Sequence, residues 1–262
     1  MKTAIACALC ALCMGAARPT LAAPQADLEE HLGARLPMER AFIDQDGRRI
    51  RLADQFHDGK PVLLVLAYFR CQLLCDLVLR GAVEGIARQG LRLGRDFRAL
   101  TISFDPRDTP GQASLKQHGY LQSIDRLDAL SAWPFLVGDE ASVRAVAESL
   151  GFVYAYDAAT DQYAHPAAVF VLTPDGRISR YLYGIRLRGL DLRLALDEAA
   201  RGRIGTLVDR VLLTCFRYDP STRRYAVYVR GVMQGGSLLV LLLVAGGLAL
   251  LWRRERRPRI DP

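Results

Sequence analysis

Two thiols four positions apart, Cys71 and Cys75, are the side chains best placed to do chemistry in this 262-residue chain. They follow an apolar run, Val62 to Phe69, and stand where a helical pattern begins. Residues i and i+4 share a helix face, so both sulphurs can point the same way, and a helix N-terminus favours the anionic thiolate. Such a pair can exchange disulfides with a partner, or act as two soft ligands aimed at one point. A structural disulfide and a pair of packed core cysteines are the inert alternatives.

The pair needs elements to hold it. Val62-Leu63-Leu64-Val65-Leu66-Ala67-Tyr68-Phe69 is continuously apolar and of strand length, the pattern of a strand buried on both faces. From Cys71 to about Gln89, Leu74, Val78, Ala82, Gly85 and Ile86 recur at three and four, which predicts a helix. Phe97 to Phe104 is a second buried strand. Pro110 opens a helix to about Tyr120, and Trp133 to Val137 is a short third strand before a helix from Asp139 to Leu150. Ala167 to Leu172, the turn Thr173-Pro174-Asp175-Gly176 and the alternating run Ile178 to Tyr183 predict a hairpin. A helix with Leu190, Leu192, Leu194, Leu196 and Ala199 closes the domain near Arg201. This order predicts an α/β sandwich of thioredoxin type.

In such a sheet the first strand of the late hairpin runs antiparallel beside the cysteine strand, so the residue just before it meets the cysteine turn. That residue is His165, and Pro166 behind it favours an extended backbone and removes one amide donor. Cys71, Cys75 and His165 then make a three-ligand site. Soft thiolates select Cu(I), which accepts three-coordination, whereas structural zinc wants a fourth ligand that the sequence does not supply. Copper is the expected ion, as Cu(I) with Cu(II) as a second state.

The two ends of the chain carry different signals. Lys2, an uncharged run from Thr3 to Ala17 and the small residues Thr20-Leu21-Ala22-Ala23 predict a signal peptide over residues 1–22, followed by a lead-in segment, 23–36. Cys7, Cys10 and Cys13 fall inside it, and Ala11 and Leu12 do not make the processing site that a lipoprotein cysteine at Cys13 needs. Gly231 to Trp252 is uncharged for 22 residues. At about 1.5 Å per residue that length matches a hydrocarbon core of roughly 30 Å. Arg253-Arg254-Glu255-Arg256-Arg257 follows it. The expected topology is one transmembrane helix (231–252) in the inner membrane, a thioredoxin-like domain (37–202) in the periplasm, a juxtamembrane connector (203–230) and a basic cytoplasmic tail (253–262).

The net charge of +7 belongs mostly to these ends: residues 1–22 contribute +2, residues 253–262 contribute +3, and the rest carries +2. The basic pI near 9.3 therefore argues for no nucleic-acid partner. With 51% hydrophobic and 24% charged residues the chain is not a disordered one, and the lack of many long apolar runs excludes a polytopic membrane protein. In an exported domain a close thiol pair becomes a disulfide unless it is catalytic, held reduced or metallated.

These residues resemble the SCO/SenC family. The resemblance is carried by Cys71 and Cys75 after a buried strand, by Thr101-Ile102-Ser103-Phe104-Asp105-Pro106-Arg107-Asp108-Thr109-Pro110, and by His165 before Val169-Phe170-Val171-Leu172-Thr173-Pro174-Asp175-Gly176. It runs from about Pro37 to Arg201, and the string from Asp105 to Pro110 is its most specific element. A bacterial branch with a C-terminal anchor and a Tyr-Asp-Pro segment, here Tyr218-Asp219-Pro220, looks particularly similar. The resemblance implies a membrane-anchored copper chaperone delivering Cu(I) to the copper A centre of cytochrome c oxidase during assembly, with the subunit that carries that centre as partner. It implies Cys71 and Cys75 as thiolate ligands or redox pair and His165 as third ligand. The alternative is a thiol-disulfide oxidoreductase that uses Cys71 and Cys75 to reduce the cysteines of an oxidase subunit before metallation; on either reading other periplasmic copper or thiol carriers are further candidate partners. On the first reading the chain is a metallochaperone rather than an enzyme.

Two departures from the family pattern stand out. Many members have proline where this chain has Asp76, whose charge opposes thiolate formation, and acidic residues near the histidine are replaced by Tyr163 and Ala164, with Asp161 farther off. Asp105 and Asp108 are expected to cap or fix the turn into the next helix, with positioning of the cysteine loop as the other role. His57 and His118 are expected to be solvated. Cys215, near the membrane, reads as an inert thiol, an interchain partner or a late copper relay. Tyr154, Tyr156 and Tyr163 are expected either to pack or to form a rim for a partner protein. A transmembrane sensor is disfavoured by the short tail, and a peroxidase by the absence of the arginine and threonine set that chemistry wants.

Overall fold

The computed structural model describes residues 26–71, 74–124, 126–205, 216–219 and 224–227, with positions 237, 240, 241 and 244. In chain order, β1 (Asp27–Leu28) precedes a hairpin of β2 (Ala41–Ile43) and β3 (Arg49–Arg51) and a 3-10 turn, Leu52–Gln55. Then come β4 (Val62–Ala67), α1 (Leu74–Arg88), β5 (Arg98–Ser103), α2 (Pro110–Gln122), a 3-10 segment (Leu127–Ala132), β6 (Phe135–Leu136) and α3 (Glu140–Ser149). The second half holds β7 (Phe152–Val153), the hairpin β8 (Ala155–Asp157) and β9 (Gln162–Ala164), β10 (Ala168–Leu172), β11 (Ile178–Tyr183) and α4 (Gly189–Ala200). Two further strands, β12 (Phe216–Asp219) and β13 (Arg224–Val227), pair antiparallel within the stretch expected as a connector.

Strands that are apolar end to end must be covered on both faces. Every residue of β4 and β10 is buried, and five of the six residues of β5 are. They form the middle of a five-stranded sheet ordered β11-β10-β4-β5-β6. β4, β5 and β6 are parallel, while β10 runs antiparallel to β4 and β11 antiparallel to β10. Helix α1 is flanked by α4 and α2, and α4 lies on β10 and β11. Trp133, Phe97, Phe104, Phe135 and Phe170 are fully enclosed, each stabilising the fold by roughly 1.5–3 kcal/mol. The one polar atom of Trp133 is met as burial requires, its indole N–H donating to Thr101 Oγ1 at 2.9 Å.

The pairing of Val65 with Val169 sets where the site must form. Continued beyond the last paired residues, this register brings the chain before β10 to the level of the turn after β4.

Each predicted strand and helix is present, its described ends moved by at most three residues, while β1, the β2–β3 hairpin, β7 and the β8–β9 hairpin are not among the expected elements. Cys71 is not helical, and the described helix begins at Leu74. The lead-in segment also differs from a loose tail. β1 pairs with β7, Gly33 N–H donates to Ile178 O at 2.8 Å, and Leu36 N–H donates to Gly176 O at 3.0 Å. β11 would otherwise present an open edge there, and these bonds cover part of it.

The expected signal peptide, Cys215 and the tail 253–262 lie outside the described residues. Of the expected span 231–252 only Ser237, Val240, Leu241 and Val244 are described, as helical and exposed. Among the described residues no helix is long and apolar enough to cross a membrane.

Gly81 marks the closest approach of α1 to the loop after β11, since a Cβ there would stand 2.3 Å from Ile185 O. Gly81→Ala should therefore cost about 1–3 kcal/mol through overpacking, despite alanine being the better helix former. A fall in Tm of several degrees, read by circular dichroism, is the expected result.

Candidate metal centre

The turn after β4 is where the thiols are delivered. Cys71 N–H donates to Tyr68 O at 3.2 Å, and the chain then enters α1. Cys75 lies inside the helix, and its N–H donates to Cys71 Sγ at 3.3 Å. Cys71, itself not helical, thus turns its sulphur toward a backbone N–H of α1.

The register of β10 on β4 supplies the third group. His165 Nε2 stands 3.1 Å from Cys75 Sγ, and ligand atoms of Cys71, Cys75 and His165 all lie within 4.8 Å of one another. All three are buried, at 6%, 1% and 5% exposure. His165 Nδ1 lies 2.9 Å from Pro166 O, a group that can only accept, so Nδ1 carries the ring proton. Nε2 then presents its lone pair to the sulphurs, as a ligating imidazole must. Cys71 and Cys75 are present as thiols.

Burial raises the Cys75 thiol well above its ordinary range, and the hydrogen bond and charge of Cys71 act in the same direction. The expected preference for thiolate at a helix N-terminus is outweighed, because the dipole term is small beside the loss of water around a sulphur 1% exposed. Burial, together with hydrogen bonding to Cys71, likewise raises the phenol of Tyr68.

A second layer of aromatic rings encloses the imidazole. Phe104, Phe152 and Tyr68 have ring centres 5.2, 6.1 and 6.2 Å from that of His165. Tyr163 packs on Tyr68 and Phe104, and Tyr154 on Phe104. Of the three tyrosines weighed as a partner rim, Tyr154 and Tyr163 are therefore part of the wall, while Tyr156 is 44% exposed.

The cysteine loop is held from below by carboxylates. Asp108 Oδ2 accepts from Phe69 N–H and from Ser103 Oγ–H, both at 2.6 Å. The cap of α2 is Thr109, which forms a capping box with Gln112. Asp108 thus takes the loop-positioning role, because its carboxylate is turned toward β4 and the cap position falls one residue later. Asp105 is fully buried and binds Arg107 through Oδ1 at 2.9 Å and Arg70 through Oδ2 at 2.5 Å. Arg107 reaches on to Asp161 at 3.0 Å, so Asp161 is engaged away from the centre.

Asp76 does not leave an uncompensated charge beside Cys75. It accepts from the Tyr120 hydroxyl, from Arg80 Nε at 2.7 Å and from Lys116 Nζ at 3.4 Å. Burial alone would raise its carboxyl, but these donors outweigh it and hold the pKa below the ordinary value. His57 and His118 are exposed and bond only to nearby backbone carbonyls, of Asp54 and Ser114, as expected.

Sequence reasoning missed Tyr68 as part of the site. Its only signal was its place in the strand, three residues before Cys71.

Asp105 yields a pH prediction. Burial acts to raise its carboxyl, but the hydrogen bonds of Arg107 and Arg70 win, and its pKa lies below the ordinary 3.8. A depressed folded-state pKa contributes stability in full above the unfolded value, about 3.9, and loses it as pH falls through the folded value. Asp105→Asn should lose about 1–3 kcal/mol at pH 7 and less at pH 3. Urea midpoints of both proteins at the two pH values measure it.

Comparison with known proteins follows this geometry. The SCO1/SenC family model matches residues 30–187. A search of curated proteins finds no match. Among solved structures, a candidate electron transfer protein from Aquifex aeolicus VF5 is 27% identical, with a TM-score of 0.57 over 66% of this chain and 95% of that one. A candidate electron transport protein from the same organism is 25% identical, with a TM-score of 0.52 over 66% and 99% of the two chains. Copper-bound ScoI from Arabidopsis thaliana is 20% identical, with a TM-score of 0.50 over 65% and 98%, and shares the fold. The family match spans more than half of the 262 residues and contains both cysteines and the histidine that the fold brings together, so this protein belongs to the SCO1/SenC family.

Proposed function

We propose that this protein is a periplasmic, inner-membrane-anchored copper chaperone that hands Cu(I) to the copper A centre of cytochrome c oxidase during assembly. Cys71, Cys75 and His165 would hold the ion. One observation carries the reading: two thiol sulphurs and an imidazole nitrogen, all buried, converge within 4.8 Å against a wall of aromatic rings. Two soft sulphurs and one nitrogen suit three-coordinate Cu(I) better than zinc, which takes four ligands. Family membership supports the same cargo, since the Arabidopsis relative of like fold carries copper. A three-ligand site also leaves one side open to an incoming ligand from the acceptor. The uncharged stretch 231–252 and the arginines beyond it support the anchored topology.

A second reading rests on the nearness of the two sulphurs, which lie within 4.8 Å of one another. Thiols so close can serve disulfide exchange, which needs no histidine. The buried imidazole beside the pair, His165 Nε2 at 3.1 Å from Cys75 Sγ, has a part in the metal reading and none in this one.

Copper titration of the purified chain should give one Cu(I) per protein, lost in Cys71→Ser and Cys75→Ser and weakened at least tenfold in His165→Ala. Unchanged stoichiometry and affinity in all three would end the chaperone account. Thiol-disulfide activity that survives His165→Ala while copper binding fails would identify a reductase component.

The raised Cys75 thiol adds a pH signature. At neutral pH this group is protonated, so metal capture must release its proton. Apparent Cu(I) affinity should rise by about tenfold per pH unit for each proton released, as competition with a pH-insensitive chelator between pH 6 and 8 would record.

A further inference from the structure

The hairpin of β8 and β9 leads straight into the histidine, since β9 ends at Ala164 and His165 is the next residue. Among the described residues its two strands pair only with each other. A lone two-stranded hairpin is marginal in water, so side chains must seat it. Tyr163 packs on Phe104 and Tyr68, which holds the apolar face. Arg107 supplies the polar hold. Its Nε and Nη2 donate to the two oxygens of the buried Asp105 carboxylate at 2.9 and 3.0 Å, a forked pair. Its Nη1 donates to Asp161 Oδ1 at 3.0 Å and to the Tyr156 hydroxyl at 3.4 Å, and the guanidinium lies 4.8 Å from the centre of the Tyr156 ring. Tyr156 donates in turn to Asp161 at 2.7 Å. One side chain therefore fastens β8 and the turn before β9 to the loop after β5. A lysine would keep the charge at Asp105 but has no fork with which to reach both carboxylates.

We propose that Arg107 is a positioning residue which clasps the hairpin to Asp105, keeps His165 at the sulphurs and so sets how readily the imidazole lets go when Cu(I) is passed on. The inference rests on the assignment of Cys71, Cys75 and His165 as ligands, but the clasp itself is present without metal. Hand-off is a ligand exchange in which the bond from Nε2 to the ion breaks while a bond from the acceptor forms, and no electron moves. A looser hairpin frees the imidazole sooner.

The clasp is tested first on the metal-free chain, by hydrogen exchange of residues 155–164 read by mass spectrometry. Arg107→Lys and Asp161→Asn should each speed that exchange about two- to fivefold, the scale of an ion pair at the surface. Asparagine is chosen because it tolerates the positive φ of 50° at position 161. In the unaltered chain the exchange should also quicken between about 0.1 and 1 M sodium chloride, as the screening length falls from about 10 to about 3 Å. Both variants should be flat over that range.

On the Cu(I)-loaded chain, the rate at which a chelator strips the ion should rise by the same factor in both variants. In a His165→Ala background Arg107→Lys should add nothing, a result that a merely structural role would not give. Arg177→Lys is the matched control, an arginine 3.0 Å from Asp175 in the turn at the other end of β10. It should leave both readouts in place. Unchanged exchange in both variants, or a stripping rate that rises equally with and without His165, overturns the proposal. If Arg107→Lys fails to fold, Asp161→Asn decides by the same criteria. A chain that takes up no copper would end the chaperone reading, whereas the clasp is judged by the exchange data alone.

Discussion

The antiparallel seating of β10 on β4 is the contact from which the centre follows. Val65 lies across from Val169 and Val62 from Leu172, in strands whose every residue is buried. A register slip by one residue would turn each side chain to the opposite face. The apolar covering on both faces makes that costly at both strands together. Once the register is set, the chain before β10 must pass the turn after β4, and His165 arrives at the thiols. Pro166, with no N–H to place in a ladder, stands where the sheet has ended.

Delivery alone would leave the cysteine turn loose, and a second set of interactions restrains it. Asp108 accepts from Phe69 N–H and Ser103, joining the turn after β4 to the end of β5. Asp105, Arg70 and Arg107 extend the same support outward to Asp161 in the hairpin that precedes His165. Burial pushes the Asp108 carboxyl up, the Asp105 charge adds to this, and hydrogen bonds from Ser103 and Phe69 act against it. The two neighbouring carboxylates are thus held differently, one by arginines and one by the loop it organises.

Burial has a chemical consequence at the sulphurs. A thiol in an apolar pocket holds its proton, which protects it from oxidation by limiting the thiolate available. A cation that replaces the proton removes the desolvation penalty, since metal and thiolate neutralise one another. A soft cation can therefore be held at the sulphurs where a proton was. Asp76 fits this picture because Arg80, Lys116 and Tyr120 draw its charge toward α2.

Much of the fold was legible in the residues alone. The unbroken apolar runs could only be central strands, and the periodic runs only helices beside them, because burial on two faces and on one leave different patterns. Cys71, Cys75 and the expected role of His165 were likewise within reach, the histidine through the direction of one strand. Asp108 was less so, since a carboxylate one residue before a capped helix looks like a cap. Tyr68 was hidden in an apolar run where a hydroxyl carries no periodic signal. Local order and the identity of the reactive groups are written in the chain, because they depend on neighbours a few residues away. Which sulphur accepts which N–H and whether a thiol keeps its proton were decided by packing, because each depends on how much water residues distant in sequence exclude.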